Sequence, residues 1–193
     1  MQLKMVAFLG RWTSSLPYFL GDDFMPTFHG LNDLMKYLET QVENNIKKIG
    51  EEVKSVLRNF ILQDLYMSYT PSEYQRTMDF LNAVECTPVK KNGNTFQVEI
   101  FINPDKLRTE SGDMPKGWLS HTSSLGTYRG DTEYEGKSIG WWLIYWFETG
   151  DNTSPFSRGK IGMFEKTRDW IEEEKYLNVR MKELFEKNGI PCI

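Results

Sequence analysis

One stretch of the sequence decides the fold. Residues 31–61 read LNDLMKYLETQVENNIKKIGEEVKSVLRNFI. Their apolar members recur at steps of three and four, the spacing of one helix face: Leu31, Leu34, Met35, Leu38, Val42, Ile46, Ile49, Val53, Val56, Leu57, Phe60 and Ile61. The pattern predicts a helix from about residue 31 to the mid-sixties, roughly 50 Å long at 1.5 Å per residue. Gly50 weakens it by about 1 kcal/mol relative to alanine and marks a place where it can bend.

A second helix start follows the long helix, at Thr70-Pro71-Ser72-Glu73. Thr70 can cap the free amides, Pro71 suits the first helical position, and Glu73 can bond back to the Thr70 amide. These signals predict a short helix over about residues 71–85, which ends before Pro88.

The centre of the chain carries the signal of a strand. Apolar residues alternate with mainly polar ones from Phe96 to Ile102, which is the pattern of a half-buried strand. A turn over 91–94 precedes it. We expect residues 104–138, which are rich in Gly, Ser, Thr and charge, to form a long loop inserted in a small antiparallel sheet.

Beyond the loop the chain becomes strongly apolar, as IGWWLIYWF over residues 139–147. Both faces of such a run are apolar, so it predicts a strand that is covered on both sides, by the chain's own helices or by another subunit. Residues 148–152 are expected to close it as a turn. A final helix is predicted over about 162–188, with a stop at Asn188, Gly189 and Pro191.

These elements predict an α+β fold, with a long N-terminal helix, a short second helix, a small antiparallel sheet and a C-terminal helix. Residues 1–27 are aromatic-rich without periodicity, which favours an extended arm that covers a surface of this chain or of a neighbour. Residues 28–193 are expected to form a single domain that contains the 104–138 loop, since the length of 193 residues suits one domain.

Charge and cysteine usage narrow the class of protein. The net charge of −4 disfavours a general nucleic-acid binder, which needs a basic face. Cys86 and Cys192 are too few for a secreted disulfide scaffold, so a reducing compartment is expected. The first ten residues resemble a signal peptide only faintly, and no run approaches the roughly 18 apolar residues of a membrane span. We expect a soluble protein of cytosolic origin.

The sequence contains few of the residue patterns that are typical of catalytic sites. The histidines are only His29 and His121, and neither has a spacing that links it to a nucleophile. Two Cys and two His scattered along the chain do not give zinc-ligand spacing, and no glycine pattern supports nucleotide binding. We expect no catalytic, cofactor or metal site. A hydrolase that uses His121 is the alternative from the enzyme class.

Three stretches, in order along the chain, resemble one family. Residues 28–39 (FHGLNDLMKYLE) resemble the opening of phage head–tail joining proteins, also called neck or tail-completion proteins. Residues 69–77 (YTPSEYQRT), followed by Phe80 and Leu81, resemble a second signature, and Phe147-Glu148-Thr149-Gly150 is similar to the family's Glu-x-Gly strand end. The resemblance covers residues 28–189 and leaves 1–27 and 104–138 without a counterpart.

The resemblance implies a structural virion protein that forms a ring, commonly hexameric, in the phage neck. It implies contacts with portal or adaptor proteins on the head side and with tail proteins on the other. Genomic DNA would pass through the lumen without specific binding, and no enzymatic activity, cofactor or membrane contact is implied. Assembly would take place in the host bacterial cytoplasm. Another phage protein, such as a tail terminator or minor capsid component, is the alternative.

A subunit that works through its neighbours needs apolar contact surfaces with aromatic anchors. The candidates are the tryptophans of the N-terminal arm and of the apolar run, with the phenylalanine that follows them: Trp12, Trp141, Trp142, Trp146 and Phe147. The competing interpretation is that they fill the core of the monomer.

Overall fold

The computed structural model of the protein describes residues 2–8, 27–68, 78–107, 139–150, 160–190 and 192. Of residues 2–8, Ile139 and Trp142 it describes the backbone alone. The predicted α+β class is confirmed, because a long helix, further helices and a small sheet are all present.

The long helix is confirmed as α1, Leu31–Phe60, which continues as a π-helical turn over Ile61–Tyr66. Its apolar stripe is buried along the C-terminal two thirds, at Val42, Ile46, Ile49, Val53, Leu57 and Ile61. The same stripe is exposed in the first two turns, where Leu31 is 68% and Met35 45% accessible. Burial of one face therefore explains the helix from about residue 42 onward.

The second helix ends earlier than the sequence predicts. Within the described residues it is α2, Asp79–Asn82, and the chain then enters strand β2, Val84–Cys86. The predicted continuation to residue 85 is wrong because Ala83 joins the sheet: its carbonyl accepts from the Asn103 amide at 2.8 Å. The capping box at 70–73 lies outside the described residues.

The sheet has four strands, with β4 at its centre. Strand β1 is Gln2–Phe8, β3 is Lys90–Asn92 and β4 is Thr95–Ile102, so the strand predicted at 96–102 is confirmed. Strand order is β1-β4-β2, and β3 also pairs with β4, antiparallel, with Lys90 opposite Gln97. Alternate residues of β4 are buried, from Phe96 to Ile102, so one face of this strand packs into the core.

Strands β2 and β3 follow one edge of β4, with a bulge between them. The Thr87 amide donates to the Glu99 carbonyl at 2.9 Å, while Lys90 stands opposite Gln97. An advance of three residues on this edge, from Thr87 to Lys90, therefore matches an advance of two residues on β4, from Glu99 to Gln97. One extra residue on one strand is the signature of a β-bulge. The Thr87 hydroxyl accepts from the Glu99 amide at 3.0 Å. Pro88, which has no amide hydrogen, lies in the bulge between Thr87 and Lys90.

The strand predicted over residues 139–147 is wrong. These residues form helix α3, Ile139–Thr149. An apolar run of this length is compatible with a buried helix as well as with a buried strand, because periodicity vanishes when every face is apolar. The predicted turn at 148–152 begins later than expected: Thr149 is still helical, and Gly150 ends the helix with φ +71°.

The single final helix predicted over 162–188 is two helices, α4, Met163–Glu173, and α5, Tyr176–Lys187. Lys175 separates them in the left-handed conformation, φ 46°. That conformation is unfavourable for a lysine, so tertiary contacts must impose the break. The predicted stop is confirmed at Asn188, the C-cap, and at Gly189, φ +75°.

The chain forms two compact units. The first comprises residues 1–3, 54–85 and 100–169, and its buried side chains include Leu57, Ile100, Phe147 and Phe164. The second comprises residues 4–53, 86–99 and 170–193, and its buried side chains include Ile49, Val53, Phe96 and Leu184. The predicted division into an arm, 1–27, and a domain, 28–193, stays a prediction.

Candidate subunit-contact surface

Helix α3 is held in the first unit by a close backbone approach at its N-terminal end. A β-carbon placed on Gly140 would lie 2.2 Å from the carbonyl oxygen of Pro104 and 3.1 Å from the β-carbon of Leu107. Only glycine permits this approach without movement of the backbone. Pro104 begins a short 3-10 turn, Pro104–Lys106, directly after β4.

The inner side of α3 fills the core of the first unit. Ile144, Trp146 and Phe147 are 3%, 8% and 8% accessible. The Phe147 ring meets the Phe80 ring edge-on, with centroids 5.3 Å apart and an interplanar angle of 73°, a favoured aromatic geometry. These side chains stabilise the fold of the subunit itself.

The other side of α3 carries an aromatic ridge, formed by Trp141 and Tyr145. Their rings stack with centroids 5.4 Å apart and an interplanar angle of 10°. Both residues are only half-buried and stand one helical turn apart. Large, rigid and partly exposed aromatic side chains are typical anchors of protein interfaces.

The C-terminal end of α3 is fixed to the start of α4 by Glu148, whose side chain is 5% accessible. Its two carboxylate oxygens accept from the backbone amides of Phe164 and Glu165, each at 3.0 Å. These amides belong to the first turn of α4 and have no partner within that helix. A carboxylate there is stabilised by both amides and by the helix dipole. We call this contact the Glu148 junction.

Backbone contacts complete the Glu148 junction. The Phe147 carbonyl accepts from the amides of Ile161 and Gly162, at 2.8 and 3.1 Å. A β-carbon on Gly150 would lie 2.6 Å from the Lys160 nitrogen, and the positive φ of Gly150 already favours glycine. The ends of the segment 151–159 are therefore held side by side.

A second polar contact, in the second unit, joins α1 to α5. The Arg180 guanidinium donates to both Glu52 oxygens, with Nη2 2.7 Å from Oε1 and Nε 2.9 Å from Oε2. The Tyr176 hydroxyl donates to the same carboxylate. Arg180 and Tyr176 lower the pKa of Glu52, while burial, aided by Glu52, raises the pKa of Tyr176. We call this contact the Glu52 seam.

The Glu52 seam explains the break between α4 and α5. The Trp170 and Tyr176 rings pack together with centroids 4.4 Å apart. Tyr176 follows Lys175 directly and is held by Glu52. The contacts on either side of Lys175 offset its unfavourable left-handed conformation.

The five predicted interface residues have different environments. Trp146 and Phe147 are buried within the chain, whereas Trp141 is half-buried on the aromatic ridge. The helix brings these three together on one element, though on different sides of it. Trp12 and the side chain of Trp142 lie outside the described residues.

The other groups considered from the sequence are scattered. His29 is exposed just before α1, and His121 lies outside the described residues. Cys86 and Cys192 are not joined in a disulfide, and burial raises the pKa of Cys192, which disfavours its thiolate. Within the described ranges, no three His, Cys, Asp or Glu side chains are grouped to hold a metal ion. No helix of that part of the chain is long and apolar enough to cross a membrane.

Sequence reasoning missed Tyr145 and the role of Glu148. Tyr145 lies within the predicted strand, where residues four apart share a face but are about 13 Å apart, too far to stack. In a helix four residues make about one turn, which brings the two rings together. Glu148 was noticed only as part of a Glu-x-Gly pattern. The sequence does contain a signal for Glu148. It is a carboxylate at the end of an apolar run, where burial of a charge is costly, and a glycine follows two residues later.

A comparison with known families now adds to this geometry. A family model described as YomN matches residues 30–187, which is most of the chain. The chain belongs to the YomN family. This is a Bacillus phage-type family, so the protein is phage-associated. The YomN match includes α1, the aromatic ridge and the Glu148 junction, and it excludes β1. No curated protein and no solved structure matches the chain.

Proposed function

We propose that this protein is a structural subunit of the neck of a tailed phage. Copies of it form a ring, a hexamer in this proposal, that joins the portal side of the DNA-filled head to the tail. The observation that carries the proposal is the phage-type family match over residues 30–187. Two of the stretches that resemble head–tail joining proteins support it, since 31–39 and 80–81 fall on helices α1 and α2. The third stretch, 147–150, ends a helix and not the strand that the resemblance implies.

The aromatic ridge is the proposed contact between neighbouring subunits. Trp141 and Tyr145 present stacked rings on a helix that is anchored at both ends, by Gly140 and by Glu148. A rigid support lowers the entropy lost on binding and favours a firm contact. Trp146 and Phe147 are assigned instead to the core of the subunit, because both are buried within it.

The remaining partners follow from the position in the neck. Head-side portal or adaptor proteins and tail-side proteins bind the two faces of the ring, and genomic DNA passes through the lumen. A net charge of −4 suits a channel through which DNA slides without adhering. The protein acts without catalysis or a cofactor, and it enters the virion from the host cytoplasm.

The proposal is tested by electron microscopy of phage particles produced without this protein. We expect DNA-filled heads and complete tails that fail to join. Intact, infectious virions would contradict the proposal. Tails of irregular length would favour a tail terminator, and defective heads would favour a minor capsid component.

The ridge is tested separately by complementation with the double variant Trp141→Ala and Tyr145→Ala. We expect a folded protein that no longer forms rings or restores joined particles, because the aromatic anchors are lost. The control is Val179→Ser, which removes an apolar side chain, 51% exposed, from α5. If the double variant assembled as well as the control, the ridge would be excluded as the ring contact.

A further inference from the structure

The two edges of the sheet are built differently. Strand order places β1 on one edge of β4, and β2 on the other. Outer N–H and C=O groups of an edge strand are free to pair with another strand unless something prevents it. Within the described residues, no strand pairs with the outer side of β1.

The edge formed by β2 and β3 is protected against such pairing. It is divided into two strands of three residues each, with a bulge and Pro88 between them. Lys90 and Lys91 are exposed on β3. Short strands, bulges, proline and lysine are the devices by which natural proteins block edge-to-edge association.

The edge formed by β1 has only one of these devices, a single lysine. Its seven residues, QLKMVAF, run from Gln2 to Phe8 without interruption and contain no proline. Lys4 is its single charged residue. A long strand of this composition at an edge is a template for strand addition.

We propose that β1 pairs antiparallel with β1 of a second copy of this chain, which joins the two sheets across a two-fold axis. The protected edge of a second copy is a poor partner, which leaves β1 as the matching strand. Identical antiparallel strands are self-complementary, as a two-fold contact requires. In the register centred on Met5, Lys4 stands opposite Val6 of the second copy, so like charges do not face each other directly.

This two-fold contact is independent of the proposed ring. A ring needs two different surfaces on each subunit, whereas β1 pairing uses the same surface twice. It also rests on a segment that the family match excludes. The β1 contact therefore predicts dimers of the purified protein, whether or not the aromatic ridge forms rings.

Adjacent proline substitutions test the proposal, because successive amides of a strand point alternately to its two sides. One of Met5→Pro and Val6→Pro removes an amide that bonds to β4, and the other removes an amide on the outer edge. We expect one variant to lower the urea midpoint of unfolding. The other should keep the wild-type midpoint but weaken dimerisation about tenfold or more in sedimentation equilibrium.

Hydrogen exchange of the wild-type protein provides a second measurement that needs no variant. At high protein concentration all β1 amides should be protected, and on dilution alternate ones should become unprotected. A monomer at the highest soluble concentration would overturn the proposal, as would a dimer that survives both proline variants. Rings that persist when the outer amide is removed, without a separable dimer, would also overturn it and leave the ring proposal standing.

Discussion

Two glutamates of this protein each hold a helix in place, and they do so in different surroundings. Glu148 is 5% accessible and accepts only from backbone amides, those of Phe164 and Glu165. The Glu52 side chain is 34% accessible and accepts from a charged guanidinium, which is itself 33% accessible. The first contact is a buried helix cap made through backbone amides, and the second is an ion pair at the surface.

The comparison teaches that proximity to an opposite charge is a poor guide to how much a carboxylate contributes to stability. Water screens the Glu52–Arg180 pair and hydrates either group when the other is removed. Water cannot replace Glu148 in the same way at the Phe164 amide, so loss of Glu148 leaves a buried amide without an acceptor. We therefore expect Glu148, which accepts from backbone amides, to contribute more to stability than Glu52.

The largest expected effect is that of Glu148→Ala. The substitution leaves two backbone amides in the first turn of α4 without an acceptor, that of Phe164 in a buried contact and that of Glu165 in a part-buried one, at about 1–3 kcal/mol for a buried amide. We expect the free energy of unfolding to fall by about 3–4 kcal/mol in urea titration. Glu172→Ala, on the exposed face of α4, is the control and should change it by less than about 0.5 kcal/mol. Equal effects of the two substitutions would contradict the structural role of Glu148.

Gly150→Ala tests the backbone part of the same junction. A positive φ lowers the free energy of unfolding by about 1–2 kcal/mol for any residue with a β-carbon. The overlap of the new β-carbon with Lys160 lowers it by another ~1–2 kcal/mol. Gly93→Ala is the matched control, since Gly93 has φ +59° and open space around the added carbon. The difference between the two variants in thermal or urea unfolding isolates the close approach. No difference would mean that the chain ends at 150 and 160 are not held together.

Glu52→Gln should have a smaller effect, a loss of about 0.5–1 kcal/mol, because the pair is partly exposed. The loss should shrink in high salt, whereas that of Glu148→Ala should not. Lys182→Gln, which removes a surface pair with a 3.8 Å separation, is the control and should be close to neutral. A salt-independent loss at Glu52 would show that its hydrogen bonds, rather than its charge, hold α5.

The smallest expected effect is a dependence on pH. Arg180 and Tyr176 lower the pKa of Glu52 below its ordinary value of 4.5. The stabilisation by Glu52 is therefore present above pH 4.5 and is lost as the pH falls through the lowered pKa. Unfolding of the wild-type protein and of Glu52→Gln, measured from neutral to acidic pH, should converge at the acidic end. A gap that widened on acidification would give the opposite sign and contradict the assignment.

The sequence predicts correctly those elements in which apolar residues recur with a single period. Helix α1 and strand β4 each bury one face, so the spacing of their apolar residues indicates the type of element. In residues 139–147 every face is apolar, so the spacing of apolar residues does not distinguish a helix from a strand. The close approach of Gly140 to Pro104 is set by tertiary structure, which no local pattern contains.

The candidate surface was predictable to a similar extent. Trp141 was named from the sequence, but its stacking on Tyr145 depends on a helix where a strand was expected. The amides that Glu148 accepts from are 16 and 17 residues away, beyond the reach of capping rules. The break at Lys175 has no glycine or proline to signal it, because Tyr176 and Trp170 impose it through packing.

The Glu148 junction also has a consequence for how this chain can vary in length. Gly150 and Lys160 are in contact, so the connection between them begins and ends at adjacent positions. Closure entropy rises by only about 0.6 kcal/mol for each doubling of such a connection. Insertions between these points should therefore leave α3 and α4 undisturbed. The segment is a natural place for lineages to gain or lose residues, and for an experimenter to insert a label that reports on assembly.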